Sequence, residues 1–82
     1  MLLAPSTALK LEAIKIAIVP GQQFNLRYHK LSSVFDSVLE CHDSTEVLIY
    51  LPNQEKPISI PPGGDNIERC IRLQNKLQEL TS

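Results

Sequence analysis

Cys41-His42-Asp43 sets a thiol, an imidazole and a carboxylate side by side. These are the groups from which a metal site or an activated nucleophile is built. Consecutive residues on a helix point about 100° apart, so three neighbours do not converge on one ion. The second cysteine, Cys70, lies 29 positions on, and no CxxC or HxxxH pair occurs. A structural zinc site takes four ligands, usually in paired clusters. A Cys–His nucleophile would also need an orienting third group and a cleft. The plainer assignment fits better: Cys70 in the core, Cys41 half-buried, and His42 at a helix C-terminus, where a cation meets the helix dipole favourably. We therefore expect no catalytic residue, no metal and no cofactor, and a chain that is not an enzyme.

Arg69, Arg72 and Lys76 recur at i, i+3 and i+7, a basic stripe on one helix. With Lys10, Lys15, Arg27 or Lys30 nearby, such a stripe could meet a partner or a phosphate backbone. The opposing reading is a solvated helix face carrying a Glu68–Arg72 i,i+4 pair. Phe24, Tyr28, Phe35 and Tyr50 do not show the interleaving of a base-stacking platform. Pro61-Pro62-Gly63-Gly64 precedes a helix start, where anions can bind, but Asp65 brings its own negative charge to that end.

The elements that must position these residues come from an 82-residue chain. At roughly 100–200 residues per domain, that length holds one small domain. Hydrophobic residues are 43% and charged residues 21%, close to an ordinary globular composition. The net charge of -1 is not the footprint of a dedicated nucleic-acid binder. Two isolated cysteines fit a reducing compartment. Met1–Ala4 is apolar but stops at Pro5 and has no basic flank, unlike a signal peptide. No apolar run approaches the roughly 20 residues of a membrane span. The expectation is a soluble cytoplasmic protein.

Residues 1–8 read as a flexible N-terminus, and 9–82 as one domain. Ile14, Ile16 and Ile18 alternate with Lys15 and Ala17, which predicts a strand. The good helix formers of Ala8–Ala13 leave a helix there as the competing reading. After Pro20-Gly21, Leu31, Val34, Phe35, Val38 and Leu39 repeat at helical spacing. They predict a helix from about Leu26 to Cys41, with Asn25 as its cap. Glu46–Leu51 and Lys56–Ile60 read as two strands of a hairpin, and Pro57 favours an edge position for the second. Asp65 with Glu68 resembles a capping box. It opens a helix from about Asn66 to Leu80 whose apolar stripe is Ile67, Cys70, Ile71, Leu77 and Leu80, broken by Gln74.

This order resembles the small C-terminal domain of the alpha subunit of bacterial DNA polymerase III, the replicative polymerase. In that family a strand precedes an amphipathic helix that ends near a Leu-x-x-His-Pro-Gly turn, and an apolar strand and hairpin follow. Leu39-Glu40-Cys41-His42 matches the Leu-x-x-His part, and Val47–Leu51 matches the strand. Ile58-Ser59-Ile60-Pro61-Pro62-Gly63 resembles the return strand and its exit, and Asn66–Leu80 fits the closing helix. The resemblance covers roughly residues 11–80, mostly as pattern. Asp43-Ser44 stands where the family has Pro-Gly, and the connector is one residue shorter. The polymerase's catalytic carboxylates, its finger and palm domains and its oligonucleotide-binding module have no counterpart. What the resemblance implies is a role in protein contacts within the replisome, notably with the tau subunit of the clamp loader.

Together these features predict an α+β fold in the order β-α-β-β-α: a three-stranded, mainly antiparallel sheet with two helices on one face. The first strand is expected beside the hairpin after a right-handed crossover through the first helix. The leading functional expectation is a non-enzymatic protein-binding module related to the polymerase's terminal domain, with a clamp-loader or polymerase subunit as partner. The alternatives are a small homodimeric structural protein and a weak nucleic-acid binder. Arg69, Arg72 and Lys76 are the candidate partner or phosphate contacts. Leu77, Leu80, Ile58 and Ile60 are the candidate interface.

Overall fold

The structure, a computed structural model, describes residues 9–82, so the expectation for residues 1–8 lies outside the described residues. The elements are a 3-10 turn (Leu11–Ala13), β1 (Lys15–Val19), β2 (Gln23–Asn25), α1 (Leu31–Leu39), β3 (Glu46–Tyr50), β4 (Ile58–Ile60) and α2 (Asn66–Thr81). The class is α+β, with a four-stranded antiparallel sheet in the order β2-β1-β3-β4.

Four expectations are corrected. The sheet has four strands, because the chain turns back at Pro20-Gly21 and pairs Gln23–Asn25 with β1 before entering α1. That extra reversal also overturns the right-handed crossover. β3 now meets β1 antiparallel, Lys15 opposite Tyr50 and Val19 opposite Glu46. Asn25 does not cap α1. Its carbonyl accepts from the backbone N–H of Tyr28 and His29, and its Oδ1 accepts from that of Arg27, which fixes a turn over 26–30. Helix α1 therefore begins only at Leu31.

Period-two alternation decides which side of the sheet is dry. Ile16 faces Ile49, Ile18 faces Val47, and Ile60 sits opposite Val47 on the other side. All are buried, as are Phe24 and Leu51. Val34 and Val38 from α1 join this face in one core, with Leu73 and Leu77 from α2. The opposite face carries the exposed Lys15 and Val19 with Ala17 buried between them, beside the half-buried Leu48 and Tyr50. Edge strand β4 follows Pro57, which lacks a backbone donor, as expected for an edge position.

A buried methylene contributes about 0.8 kcal/mol, and truncation adds a cavity cost. Ile49→Ala is therefore expected to cost about 2–5 kcal/mol in urea unfolding. Val19→Ala, on the open face and 42% exposed, should stay within about 0.5 kcal/mol.

Candidate functional site

The expected basic stripe does not exist as a surface. Arg69 is fully buried. It occupies the core-facing row of α2, one turn before Leu73 and two before Leu77. Its Nη1 donates to the carbonyl of Thr45. Its Nη2 donates to the carbonyl of His42 at 2.8 Å and to Oδ1 of Asn66. Its Nε has no partner. No carboxylate answers this cation: among the described residues the one ion pair is Lys76–Glu79, at 3.4 Å.

Backbone dipoles answer it instead. Asn66 Nδ2 donates to the carbonyls of Leu39, at 3.1 Å, and Cys41, at 2.6 Å. Asn66 and Arg69, one turn apart, thus satisfy four carbonyls at and just beyond the C-terminal end of α1. That end carries the negative pole of the helix dipole and four carbonyls without helical partners. The first turn of α2 is itself capped by Asp65, whose Oδ1 accepts from the N–H of Ile67 at 3.0 Å.

The other candidates separate in the same way. Arg72 is exposed, and its Nη2 donates to the carbonyl of Gly63. Lys76 is committed to Glu79. Leu77 and Ile60 are core residues, 3% and 5% exposed, because both point onto the dry face. Neither is available as an interface, whereas Leu80 and Ile58 are half-buried against the same core. Cys41 donates its thiol proton to the carbonyl of Ser37 at 2.9 Å. His42 is exposed and, among the described residues, its imidazole makes no hydrogen bond, so the two are not joined as a nucleophilic pair. Among the described residues no group of three or more His, Cys, Asp or Glu is set to hold a metal, and no helix is long and apolar enough to cross a membrane.

Residues read as core are instead outside. Ile67 and Ile71 are 58% and 50% exposed, and Leu39 is 47% exposed. Asn66 touches the end of α1, and Cys70 Sγ lies 3.7 Å from the carbonyl of Phe35. The 66/70 row of α2 therefore lies along the 35/39 row of α1. Ile67 and Ile71, one residue further round, turn outward beside that seam. The result is an exposed apolar ridge of Leu39, Ile67 and Ile71 beside the seam, each followed in the chain by an exposed charged residue, Glu40, Glu68 and Arg72.

Apart from Asp36 in the middle of α1, charge is divided between the two ends of the molecule. The end that holds the starts of β1 and α1, the β3–β4 turn and the end of α2 carries Lys10, Lys15, Arg27, Lys30, Lys56 and Lys76 against Glu12, Glu55 and Glu79. The other end carries Glu40, Asp43, Glu46, Asp65 and Glu68, with Arg72 as its exposed cation.

Comparison of this chain with protein-family models, curated proteins and solved structures found no match.

Removing the Arg69 side chain leaves a cavity and takes the donor from the buried Thr45 carbonyl, while the His42 carbonyl keeps the N–H of Thr45. Arg69→Ala is expected to cost about 3 kcal/mol or more by urea unfolding. Arg69→Lys should recover only part, since an ammonium cannot reproduce the planar fork. Arg72→Ala should stay within about 0.5 kcal/mol.

Burial pushes the Cys70 thiol above its ordinary value. The Arg69 cation opposes this shift and Cys41 adds to it. A group whose folded pKa is raised contributes stability that is whole below the unfolded value and is lost as pH rises through the folded one. Stability should therefore fall more between about pH 8 and 10 in the wild type than in Cys70→Ala, read from urea midpoints across that range.

Proposed function

We propose that this chain is a non-enzymatic protein-binding module, acting in the cytoplasm as a relative of the replicative polymerase's terminal domain. The observation that carries the reading is the ridge of Leu39, Ile67 and Ile71. These three large aliphatic side chains stand half exposed beside one helix seam in a domain whose other large aliphatics are mostly buried. Contiguous exposed apolar surface rimmed by polar groups marks protein contacts more often than scattered exposure does. Aliphatic anchors inside a charged rim are the ordinary anatomy of an interface.

The acidic rim at Glu40 and Glu68 favours a partner with apolar anchors and basic flanks. The resemblance to the polymerase's terminal domain supplies the candidate: the tau subunit of the clamp loader, or another polymerase subunit. Both thiols are free, which suits a reducing compartment. Self-association is the competing reading. Leu77 and Ile60 cannot serve it without opening the core, so it would have to use the same ridge.

Calorimetric titration with the purified clamp-loader tau subunit tests the reading. Binding is expected, and Ile67→Asp combined with Ile71→Asp should weaken it at least about tenfold, as for loss of apolar anchors, with the thermal midpoint little changed. Absence of binding, or a variant that binds as the wild type does, would contradict the reading. A wild-type dimer that the same variant converts to monomer would favour self-association instead.

A further inference from the structure

The geometry points to a second interaction surface at the basic end of the molecule: a docking site for single-stranded nucleic acid, built on the turn Arg27-Tyr28-His29-Lys30. It goes beyond the ridge reading, uses different residues, and stands or falls independently of it.

Tyr28 is 74% exposed, the most exposed large hydrophobic side chain described. It is not loosely held. The N–H groups of Tyr28 and His29 both donate to the carbonyl of Asn25 at 2.9 Å, and the N–H of Arg27 donates to Asn25 Oδ1 at 3.0 Å. The His29 ring stands edge-on to the buried Phe24, with centroids 5.5 Å apart. The Arg27 guanidinium lies 5.9 Å from the centre of the Tyr28 ring. The turn is thus a fixed mount that holds one exposed aromatic ring against the Arg27 guanidinium, with Lys30 two residues on in the chain.

The surrounding charge has the matching sign. Arg27 shares a surface hollow with Lys10, where Glu12 is the one acid. Lys30 directly precedes α1, whose first turn has no acidic residue to offset it. Lys15 and its cross-strand partner Tyr50 line a second hollow where the open sheet face begins.

Cations that follow a backbone, with an aromatic ring for a base to stack on, are the elements of a single-strand site. Duplex bases are already stacked and could not use the ring. The acidic end of a second copy could meet the cations, but it would leave Tyr28 without a role.

Fluorescence polarisation of the full chain with a labelled oligo-dT of about 15 nucleotides tests the proposal. Binding should weaken with salt, with a log–log slope of about −2 to −3 for three or four phosphate contacts. Arg27→Glu with Lys30→Glu should reduce affinity at least about tenfold. Tyr28→Ala should reduce it about tenfold with the salt slope kept, because only stacking is lost. Arg72→Glu, at the other end, should change little. All these positions are exposed, and thermal melts matching the wild type would verify folding.

No binding at low salt would overturn the proposal. So would equal losses from Arg72→Glu and Arg27→Glu, or wild-type affinity in Tyr28→Ala. Salt-sensitive self-association, abolished by Lys30→Glu and restored when Glu40→Lys is added, would assign this end to a second copy and also overturn it.

Discussion

A buried guanidinium without a carboxylate partner is the constraint around which this small fold is arranged. Arg69 has no exposed surface, and every hydrogen bond it makes runs to a carbonyl or amide oxygen. Desolvating a cation is expensive, and a lone one survives only where dipoles are already aimed at it. The loop after α1 supplies those dipoles through the carbonyls of His42 and Thr45, and Asn66 Oδ1 adds a third. Carbonyls that would otherwise need water or a C-cap are satisfied from the neighbouring helix by Asn66 and Arg69. The cation and the loop carbonyls thus resolve each other's cost, and the loop over 42–45 is held between α2 and the start of β3.

This clamp fixes how the helix layer lies on the sheet. It draws the first turn of α2 to the last turn of α1, so the helices run antiparallel with the 66/70 row against the 35/39 row. Leu73 and Leu77 then fall onto the dry sheet face, and Ile67 and Ile71 are turned away from it. The exposed ridge is a geometric consequence of burying Arg69. The exposed cations other than Arg72 lie at the far end, so an acidic end at the clamp stands opposite a basic end at the Arg27–Lys30 turn. A protein contact on the ridge and a polyanion contact on the basic end would not compete for space.

Much of the architecture was legible in the sequence. The Ile14–Ile18 alternation, the Val34/Val38 spacing, the Glu46–Ile60 hairpin and the Asp65 cap all carry strong local signals, and each element formed. Strand β2 was not legible, because Gln23-Phe24-Asn25 holds one apolar residue and three residues show no period. Its absence from the reading also misdirected the sheet connection. The site was harder. An arginine at i with leucines at i+4 and i+8 is the trace of Arg69, Leu73 and Leu77 sharing a face. Charge type groups Arg69 with Arg72 and Lys76, and helical spacing groups Ile67 and Ile71 with the apolar stripe. Local pattern cannot register that a distant loop offers carbonyls to a cation, since those groups are brought together only by the fold.

The central claim is that Arg69 is an interior clamp and not a surface cation. The most direct measurement is the guanidinium region of a ¹⁵N-correlated NMR spectrum of the intact chain at neutral pH. Fixed hydrogen bonds from both terminal nitrogens should slow rotation and solvent exchange, giving Arg69 separate, protected Nη resonances, while Arg27 and Arg72 average with water. Arg69 signals averaged like those of the other two would contradict the clamp, and with it the account of why the ridge faces outward.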